Sequence, residues 1–348
     1  MKQIFTSLFF LISIVIYSQN WVYYSYPANL PSVYINSITS DKSGNVWIGS
    51  HGGVTKFDGN NWTTYTNDGL GNNEVRDLVF DSNNNLWVAT WFGGVYKYNG
   101  TNWISYNTSN GLLSNNVYQI VVDNENNIWI AMYGGLQKYD GTIWTSYTTN
   151  NVLPNNDVQC IAIDKQGNLW AGTEGSGVAM FNGTNWVYYT ESNGLGSNTI
   201  EKIIIDNQNN KWFGTISGFT KYDNTNWTYY NETNGLPNND GQAINVDNDG
   251  KVWFGTEGGI TILENGSFTT YNSSNGLSHD YVNDIYFVNK DAWLATNNGI
   301  SVLSNVVSTS IFNEEANYFE VYPNPINDVL YIKGFNNNPI QIKIFNML

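Results

Sequence analysis

The chain has 348 residues, of which 12% are charged and 16% are aromatic. So many aromatic and so few charged side chains argue against an intrinsically disordered chain. There are 14 Lys and Arg residues against 29 Asp and Glu, a formal net charge of −15, which disfavours nucleic acid and anionic membranes as partners. The single cysteine, Cys160, excludes an intrachain disulfide, and its apolar neighbours predict a small buried residue.

The first eighteen residues have the pattern of a secretory signal peptide. Lys2 provides the positive start, and Ile4–Ile16 is an apolar core. This core is too short to cross a membrane, for which about 20 residues are needed. We therefore expect residues 1–18 to be removed by cleavage between Ser18 and Gln19, and we expect no membrane span in the rest of the chain. The alternative interpretation is a buried first strand.

Two tryptophan phrases recur through most of the chain at intervals of 40 to 42 residues. A fixed period of this length indicates a repeat architecture. The first phrase ends in Trp-x-Gly or Trp-x-Ala and includes Trp47, Trp87, Trp129, Trp170, Trp212, Trp253 and Trp293. The second has a tryptophan in six repeats and a phenylalanine in the seventh: Trp21, Trp62, Trp103, Trp144, Trp186, Trp227 and Phe268.

Each repeat contains four short strands, which we label A to D. In the fourth repeat, strands are predicted at Val158–Asp164, Asn168–Thr173, Gly177–Phe181 and Asn185–Thr190. The Asn182-Gly183 pair between C and D is typical of a tight hairpin, because both residues accept a positive φ. Seven units of four strands predict an all-β protein with a seven-bladed β-propeller over residues 19–303.

The two ends of the repeat region predict a closed ring. The first strand after the signal peptide, Trp21–Tyr26, is of D type. The last repeat supplies strands A, B and C at Val282–Asn289, Ala292–Thr296 and Gly299–Leu303, and then loses its period. We therefore expect the N-terminal strand to complete the seventh blade, which removes two open sheet edges. The alternative is an open solenoid, for which this offset serves no purpose.

Repeated small and apolar positions predict how the blades pack. The residue two after each B-strand tryptophan is small: Gly49, Ala89, Ala131, Gly172, Gly214, Gly255 and Ala295. Residues two apart share a sheet face, so we expect a bulky group from the next blade to cover this position. We assign the thirteen repeated tryptophans to the inter-blade core. The leucine of the recurring Asn-Gly-Leu phrase, as in Asn193–Leu195, is expected to fill the cleft between neighbours.

An aspartate begins the turn between strands A and B in six repeats. A calcium loop and a structural Asx turn are both compatible with an aspartate here, and Asp247-Asn-Asp249-Gly is the most loop-like example. An EF-hand loop needs further oxygen ligands and a distal glutamate at the right spacing, which the sequence does not provide. We therefore favour the Asx turn and assign no metal and no cofactor.

The loops between strands B and C vary from repeat to repeat, as expected of a scaffold with adjustable loops. These loops emerge on the face where propellers usually bind ligands. Trp91 is the one tryptophan outside the repeated positions, Phe92 follows it, and Tyr133 stands at the matching place in the next repeat. We predict that these three rings form a stacking platform for a sugar or an apolar ligand. The alternative is that they are ordinary packing at the channel mouth.

The same loops also carry ionisable residues that extend the candidate ligand site. They are His51, Glu174 and Glu257, and His279 lies in the loop that precedes the seventh blade. A histidine and a glutamate could transfer a proton or bind a divalent metal. Because no Ser/His/Asp set, phosphate loop or dinucleotide motif is present, we assign no catalytic residue and expect a protein without enzymatic activity.

Runs such as DKSGNVWIGSHGGVTKFDG and NGLPNND, within residues 20–303, resemble two-component regulator propeller repeats. In that family the repeats form the extracytoplasmic sensor of hybrid histidine kinases, so the resemblance implies a propeller fold and a preference for carbohydrate. We find no kinase or DNA-binding segment, and signalling is therefore not implied. The phrase WFGTE at Trp253–Glu257 is weakly similar to streptogramin lyases, and this similarity makes a lyase the third candidate function.

The C-terminal region differs from the repeats. Residues 304–317 are predicted to be a linker, and residues 318–348 resemble the C-terminal sorting domain of the type IX secretion system through Tyr322-Pro323-Asn324-Pro325 and the alternating strands that follow. That family continues into further strands and a basic tail, so we expect a truncated copy. The alternative is a short hairpin packed on the propeller. The resemblance implies the type IX machinery as a partner and a secreted or outer-membrane surface location in a Gram-negative bacterium.

Taken together, these patterns predict a monomeric, non-catalytic binding module for a carbohydrate or another small ligand. The second hypothesis is a structural or protein-interaction surface protein that binds no small ligand.

Overall fold

The computed structural model describes residues 20–66, 69–304, 320–322 and 331–333. The predicted signal peptide, the linker and most of the predicted sorting domain lie outside these ranges. The described part of the C-terminal region is one antiparallel pair, β29 (Glu320–Tyr322) with β30 (Tyr331–Lys333). No helix in the described ranges is long and apolar enough to span a membrane.

Seven four-stranded antiparallel sheets form the blades of the propeller. Blade 1 is β2 (Ile35–Ser40), β3 (Val46–Ser50), β4 (Gly53–Phe57) and β5 (Trp62–Tyr65). Blade 2 is β6 (Val75–Phe80), β7 (Leu86–Thr90), β8 (Gly94–Tyr98) and β9 (Trp103–Tyr106). Blade 3 is β10 (Val117–Val122), β11 (Ile128–Met132), β12 (Gly135–Tyr139) and β13 (Trp144–Tyr147). Blades 4 and 5 are β14 (Val158–Ile163), β15 (Leu169–Thr173), β16 (Val178–Phe181), β17 (Trp186–Tyr189); and β18 (Ile200–Ile205), β19 (Lys211–Thr215), β20 (Gly218–Tyr222), β21 (Trp227–Tyr230).

Blade 6 is β22 (Ala243–Val246), β23 (Val252–Thr256), β24 (Gly259–Glu264) and β25 (Ser267–Tyr271). Blade 7 is β26 (Val282–Val288), β27 (Asp291–Thr296), β28 (Gly299–Ser304) and β1 (Asn20–Tyr24). Two single-turn 3-10 helices, Glu191–Asn193 and Glu232–Asn234, lie in loops between blades. The predicted seven-bladed fold is confirmed, with strand ends within a residue or two of those expected.

The ring closes as predicted, through the N-terminal strand. β1 pairs antiparallel with β28, so that Trp21 faces Leu303 and Tyr24 faces Ile300. Tyr24 also reaches the neighbouring blade, because its ring lies 4.8 Å from that of Trp62 and 5.7 Å from that of Phe57 in blade 1. The first strand therefore joins blade 7 to blade 1 as well as completing blade 7.

The turn between strands A and B is held by its aspartate in the way predicted for an Asx turn. In blade 2, Oδ1 of Asp81 accepts from the amides of Asn83 and Asn85 at 3.0 and 2.8 Å. Oδ2 accepts from the side chain of Asn85 at 2.8 Å and from Nε1 of Trp87 at 3.0 Å. Burial by itself raises the pKa of Asp81, but these hydrogen bonds outweigh it and hold the pKa below its ordinary value.

The aspartate-to-indole hydrogen bond recurs through the propeller and orients the B-strand tryptophan. It is present in six blades, from Asp41, Asp81, Asp123, Asp164, Asp206 and Asp247 to the tryptophan six residues later. All seven B-strand tryptophans are buried, as predicted. The D-strand tryptophans are only partly buried, but they pack against the inter-blade core clusters as predicted, and several also lie over the loops between blades.

The small residue of strand B is covered by the next blade, as predicted. A Cβ added to Gly172 would lie 2.7 Å from Cγ2 of Ile200 in blade 5 and 2.6 Å from Sγ of Cys160 in its own blade. Cys160 is buried, which confirms the sequence prediction, and burial raises the pKa of its thiol. In blade 6, an added Cβ on Gly255 would lie 3.0 Å from Val282 of blade 7.

The loops between blades carry a buried leucine beside a glycine with positive φ. Leu195 is buried, and Gly194 has φ +122, with Cγ of Trp227 only 2.5 Å from where a Cβ on this residue would lie. A side chain on Gly194 would therefore be strained and would collide with this indole. The leucines at the same position of other loops are buried too: Leu70, Leu112, Leu236 and Leu277. This confirms that the leucine fills the cleft between neighbouring blades.

Candidate binding site at the channel mouth

In three blades the innermost strand turns two consecutive side chains toward the central channel. In six blades the pairing of strand A with strand B shifts register after the first residue of strand A, as between Val75 and Asp77. A bulge of this kind re-aims side chains that a regular strand would send to opposite faces. In blades 2, 3 and 5 the second and third residues of strand A both line the channel, and in blades 1, 4 and 7 the second residue does.

These residues line a cavity of about 150 Å³ on the propeller axis, to which every blade contributes. The lining is polar: Asn36, Arg76, Asp77, Tyr118, Gln119, Gln159, Glu201, Lys202, Gln242 and Asn283.

Hydrogen bonds between blades fix the deeper part of the cavity. Asp77 accepts from Oγ of Ser37 at 3.0 Å and from the amide of Ile120 at 2.9 Å, so it joins blades 1, 2 and 3. Asp284 accepts from the amide of Ile38 at 2.9 Å and lies 3.4 Å from Nζ of Lys202. These carboxylates therefore act as structural links around the ring.

Burial and neighbouring charges raise the pKa values of two residues in the deeper part of the cavity, Asp77 and Lys202. Burial raises the pKa of Asp77 to about 6, even though the charge of Lys202 and the amide of Ile120 act in the opposite direction. Burial alone would lower the pKa of Lys202, but the charges of Asp284 and Asp77 outweigh it and raise the pKa. The lysine is accordingly held as a cation by the two carboxylates.

The mouth lies where the A strands begin and the B–C loops emerge. The first residue of a B–C loop donates its amide to the residue that precedes strand A: Trp91 to Glu74 at 2.9 Å and Tyr133 to Asn116 at 3.0 Å. Phe92, with φ +72, donates its amide to Oδ1 of the same Asn116 at 3.1 Å. Asn116 therefore ties together the two loops that carry the predicted aromatic residues.

The aromatic side of the mouth spans blades 2 and 3. The Trp91 ring lies 5.6 Å from Phe92 and 5.0 Å from Tyr118, and the Arg76 guanidinium stands 5.0 Å from its centroid. Phe92 and Tyr133 are 61% and 58% exposed, whereas Trp91 is partly buried. Trp91 thus serves mainly as a support for the cavity wall, and the two neighbouring rings are the ones that face solvent.

The opposite side of the mouth, in blades 4 to 6, is acidic. Burial raises the pKa of Glu201 to about 7, and the charges of Asp240, Glu174 and Asp157 add to the effect. Tyr118 hydrogen-bonds to Asp157, and its pKa rises to about 12 through burial and this carboxylate. Glu174, which the sequence predicted as a site residue, is therefore within electrostatic reach of Glu201.

The other predicted ionisable residues are not joined into one group. His51 lies on blade 1 with its ring 5.1 Å from Tyr34, and burial lowers its pKa while Glu74 opposes this shift and Arg76 reinforces it. His279 accepts the amide of Tyr281 at Nδ1 over 2.9 Å. Glu257 acts on Tyr281 electrostatically, but no ion pair or hydrogen bond joins it to His279 within the described ranges.

The sequence interpretation missed the A-strand residues of the channel, including Arg76, Tyr118, Glu201 and Lys202. One signal was available. Five of the A strands read apolar, polar, polar, apolar, as in Val75-Arg76-Asp77-Leu78, and this breaks the period of two. Among the described residues no three His, Cys, Asp or Glu side chains are grouped closely enough to hold a metal ion.

Comparisons with known proteins agree with the fold. Residues 29–52, 69–92, 111–134 and 152–175 match the two-component regulator propeller repeat. Each matched segment contains the A and B strands of one of the first four blades. No curated protein was found to match the chain.

Several solved structures are similar over most of the propeller. The extracellular domain of a hybrid two component system from B. thetaiotaomicron is 26% identical, with a TM-score of 0.74, and the match covers 82% of this chain and 41% of that one. This chain therefore spans about two fifths of that domain.

Two further structures show the fold alone, because their identity is low. Virginiamycin B lyase from Staphylococcus aureus is 16% identical, with a TM-score of 0.67, and the match covers 82% of this chain and 98% of the lyase. PorZ, a surface component of the type IX secretion system of Porphyromonas gingivalis, is 18% identical, with a TM-score of 0.62, over 85% of this chain and 49% of PorZ.

Proposed function

We propose that this protein is a non-catalytic binding module outside the cell, and that it holds a saccharide at the mouth of the propeller channel. The observation that carries the proposal is the exposed pair Phe92 and Tyr133. The two rings stand on neighbouring loops that are tied by Asn116 and supported by rigid sheets. Exposed aromatic faces on a rigid scaffold are suited to stacking against sugar rings.

The location and the absence of catalysis are part of the same proposal. The similarity to the extracellular domain of a hybrid two component system supports a position outside the cell. The predicted signal peptide and the type IX sorting resemblance of residues 318–348 support export to the surface or the medium. A lyase is not favoured, because the described residues show no contact between His279 and Glu257 that could prepare a proton transfer.

A glycan array with the purified propeller, followed by affinity measurements on the best saccharide, tests the proposal. Each of Phe92→Ala and Tyr133→Ala should weaken binding about 10-fold, since an aromatic contact contributes about 1 kcal/mol or more. Ile104→Ala is the matched control. This residue is 47% exposed on the outer strand of the blade that carries Phe92, and its loss should leave the affinity unchanged.

An empty array would contradict the proposal, and so would variants that bind as the unmodified protein does. If the array stays empty while pull-downs retrieve a protein partner, the second hypothesis, a protein-interaction surface, replaces it.

A further inference from the structure

Charge is distributed unevenly around the mouth and the cavity below it. Two cationic side chains line the cavity, Arg76 and Lys202. The acidic side chains that line it or act on its residues are more numerous: Glu74, Asp77, Asp157, Glu174, Glu201, Asp240 and Asp284. A concave site with an excess of one sign concentrates its field at the opening and attracts the opposite charge.

Both cations already have anionic partners. An oxygen of Glu74 lies 3.8 Å from the Arg76 guanidinium, which also stands over the Trp91 ring. Nζ of Lys202 lies 3.4 Å from Asp284, and the charge of Asp77 also acts on it. Neither cation is therefore left to neutralise the acidic side of the mouth.

Glu201 is the carboxylate at the centre of that acidic side. The neighbouring amide donors are used elsewhere: Nε2 of Gln159 donates to Asp157 at 3.0 Å, and Nε2 of Gln242 donates to Asp240 at 2.8 Å. Within the described ranges no hydrogen bond or ion pair reaches the Glu201 carboxylate, and the charges that act on it are those of Asp240, Glu174 and Asp157. Glu201 is thus a partly buried carboxyl group that lines the cavity without a hydrogen-bond donor of its own among the described residues.

A metal ion does not account for this arrangement, because no group of three potential ligands converges in the described part of the chain. An organic ammonium ion fits it better, since a single charged group can lie against one carboxylate while its body contacts the wall. The aromatic side of the same mouth, with Phe92 and Tyr133, provides a surface for that body.

We propose that the saccharide bound at the mouth carries a protonated amine, that the amine lies against Glu201 between blades 4 and 6, and that neighbouring sugar rings stack on Phe92 and Tyr133. This inference rests on the proposed function and specifies its ligand class, an amino sugar oligomer. The amine places a positive charge beside Glu201, Asp157 and Asp240. A neutral saccharide would leave the repulsion among these three carboxylates in place.

Calorimetric titration of the propeller at pH 7 with three probes tests the inference. The probes are a glucosamine tetramer, its fully N-acetylated counterpart, and phenethylamine as an amine without sugar. We expect the glucosamine tetramer to bind at least 10-fold more tightly than the acetylated tetramer. Added salt should reduce this preference because it screens the charge attraction.

Glu201→Gln should remove most of the preference while preserving the shape of the site. Glu125→Gln is the matched control, since it makes the same change in charge on an exposed turn of blade 3 at the opposite face of the propeller.

Each outcome has a distinct meaning. Equal or tighter binding of the acetylated tetramer overturns the amine inference and leaves saccharide binding intact. Binding of phenethylamine alone supports an amine site and overturns the saccharide proposal. No binding of any probe overturns the inference, and only an empty glycan array would extend that failure to the proposed function. A preference that persists in Glu201→Gln overturns the assignment of the amine to Glu201.

Discussion

At the scale of single residues, one buried carboxylate organises the turn of most blades. Asp81 accepts two backbone amides, one side-chain amide and one indole, so the aspartate, the Asn85 side chain and the Trp87 ring form one unit. Asp81 is 3% exposed. Loss of its carboxylate would therefore leave several donors without partners inside the protein.

Asp81→Ala is expected to lower the free energy of unfolding by at least about 1–3 kcal/mol, the cost of leaving a buried donor without an acceptor. Urea unfolding followed by tryptophan fluorescence measures this change. Asp140→Ala is the matched control, because Asp140 forms a similar Asx turn on the exposed side of blade 3 and should matter much less. Equal effects of the two substitutions would argue against a special role of the buried turn.

At the scale of elements, β1 differs from the other outer strands that the structure describes. It alone is far in sequence from the rest of its blade. Tyr24 of β1 stacks on Trp293 of its own blade at 5.4 Å and contacts Phe57 and Trp62 of blade 1. Its counterpart in blade 4 is Tyr189, which stacks on Trp170 at 5.3 Å. The two tyrosines make similar contacts, but only β1 lacks a short connection to the strand beside it.

Tyr24→Ala should therefore act differently from Tyr189→Ala. Both should destabilise the propeller by about 2–3 kcal/mol, because each removes a half-buried aromatic ring. Only Tyr24→Ala should also allow β1 to detach locally, which native-state hydrogen exchange would detect as faster exchange at residues 20–24. Unchanged protection of β1 in Tyr24→Ala would show that backbone pairing alone holds the strand.

Comparison with the sequence predictions shows which elements are encoded locally. β14 was expected at Val158–Asp164 and is found at Val158–Ile163, because alternation, the Asp turn and the Asn-Gly hairpin all lie within one repeat. The same information located Phe92 and Tyr133 on adjacent loops. The channel residues Arg76, Tyr118 and Glu201 could not be assigned in this way, because a regular strand sends only alternate residues inward. Their meeting depends on the bulge and on seven segments that are far apart in sequence.

At the scale of the whole molecule, several lysines lie away from the channel, and Lys97, Lys138 and Lys211 also stand within 4.0 Å of turn aspartates. Five lysines lie over B-strand tryptophans rather than in the channel: Lys56 on Trp47, Lys97 on Trp87, Lys138 on Trp129, Lys211 on Trp170 and Lys221 on Trp212. These contacts combine cation–π attraction with packing of the lysine stem. These five lysines therefore do not neutralise the acidic side chains at the mouth, which contribute to the net charge of −15.

This distribution predicts a pH-dependent stability that centres on Glu201. Burial and the charges of Asp240, Glu174 and Asp157 raise its pKa to about 7, while the unfolded chain ionises at the ordinary, lower value. Between these values the folded protein binds more protons than the unfolded chain, so stability falls as pH rises. Tyr281 and Arg76 complete the ionisable surroundings.

Glu201→Gln cannot ionise and should abolish this loss. We expect equal stability of the two proteins at pH 5 and an advantage of about 1 kcal/mol for Glu201→Gln at pH 8, after allowance for solvent screening in the open channel. Thermal unfolding at the two pH values measures the difference, which corresponds to about 2–4 °C. A difference that does not change with pH would show that Glu201 is not under strain from its neighbours.

The pairing of β1 with β28 also has a consequence for how the molecule is made. The ribosome synthesises the first of these strands long before the second, and each intervening blade can form from a contiguous stretch of chain. The ring can close only after the last blade has been synthesised. The contact between the first and the last strands of the propeller therefore forms last. Until then two bare strand edges are available for pairing with other chains.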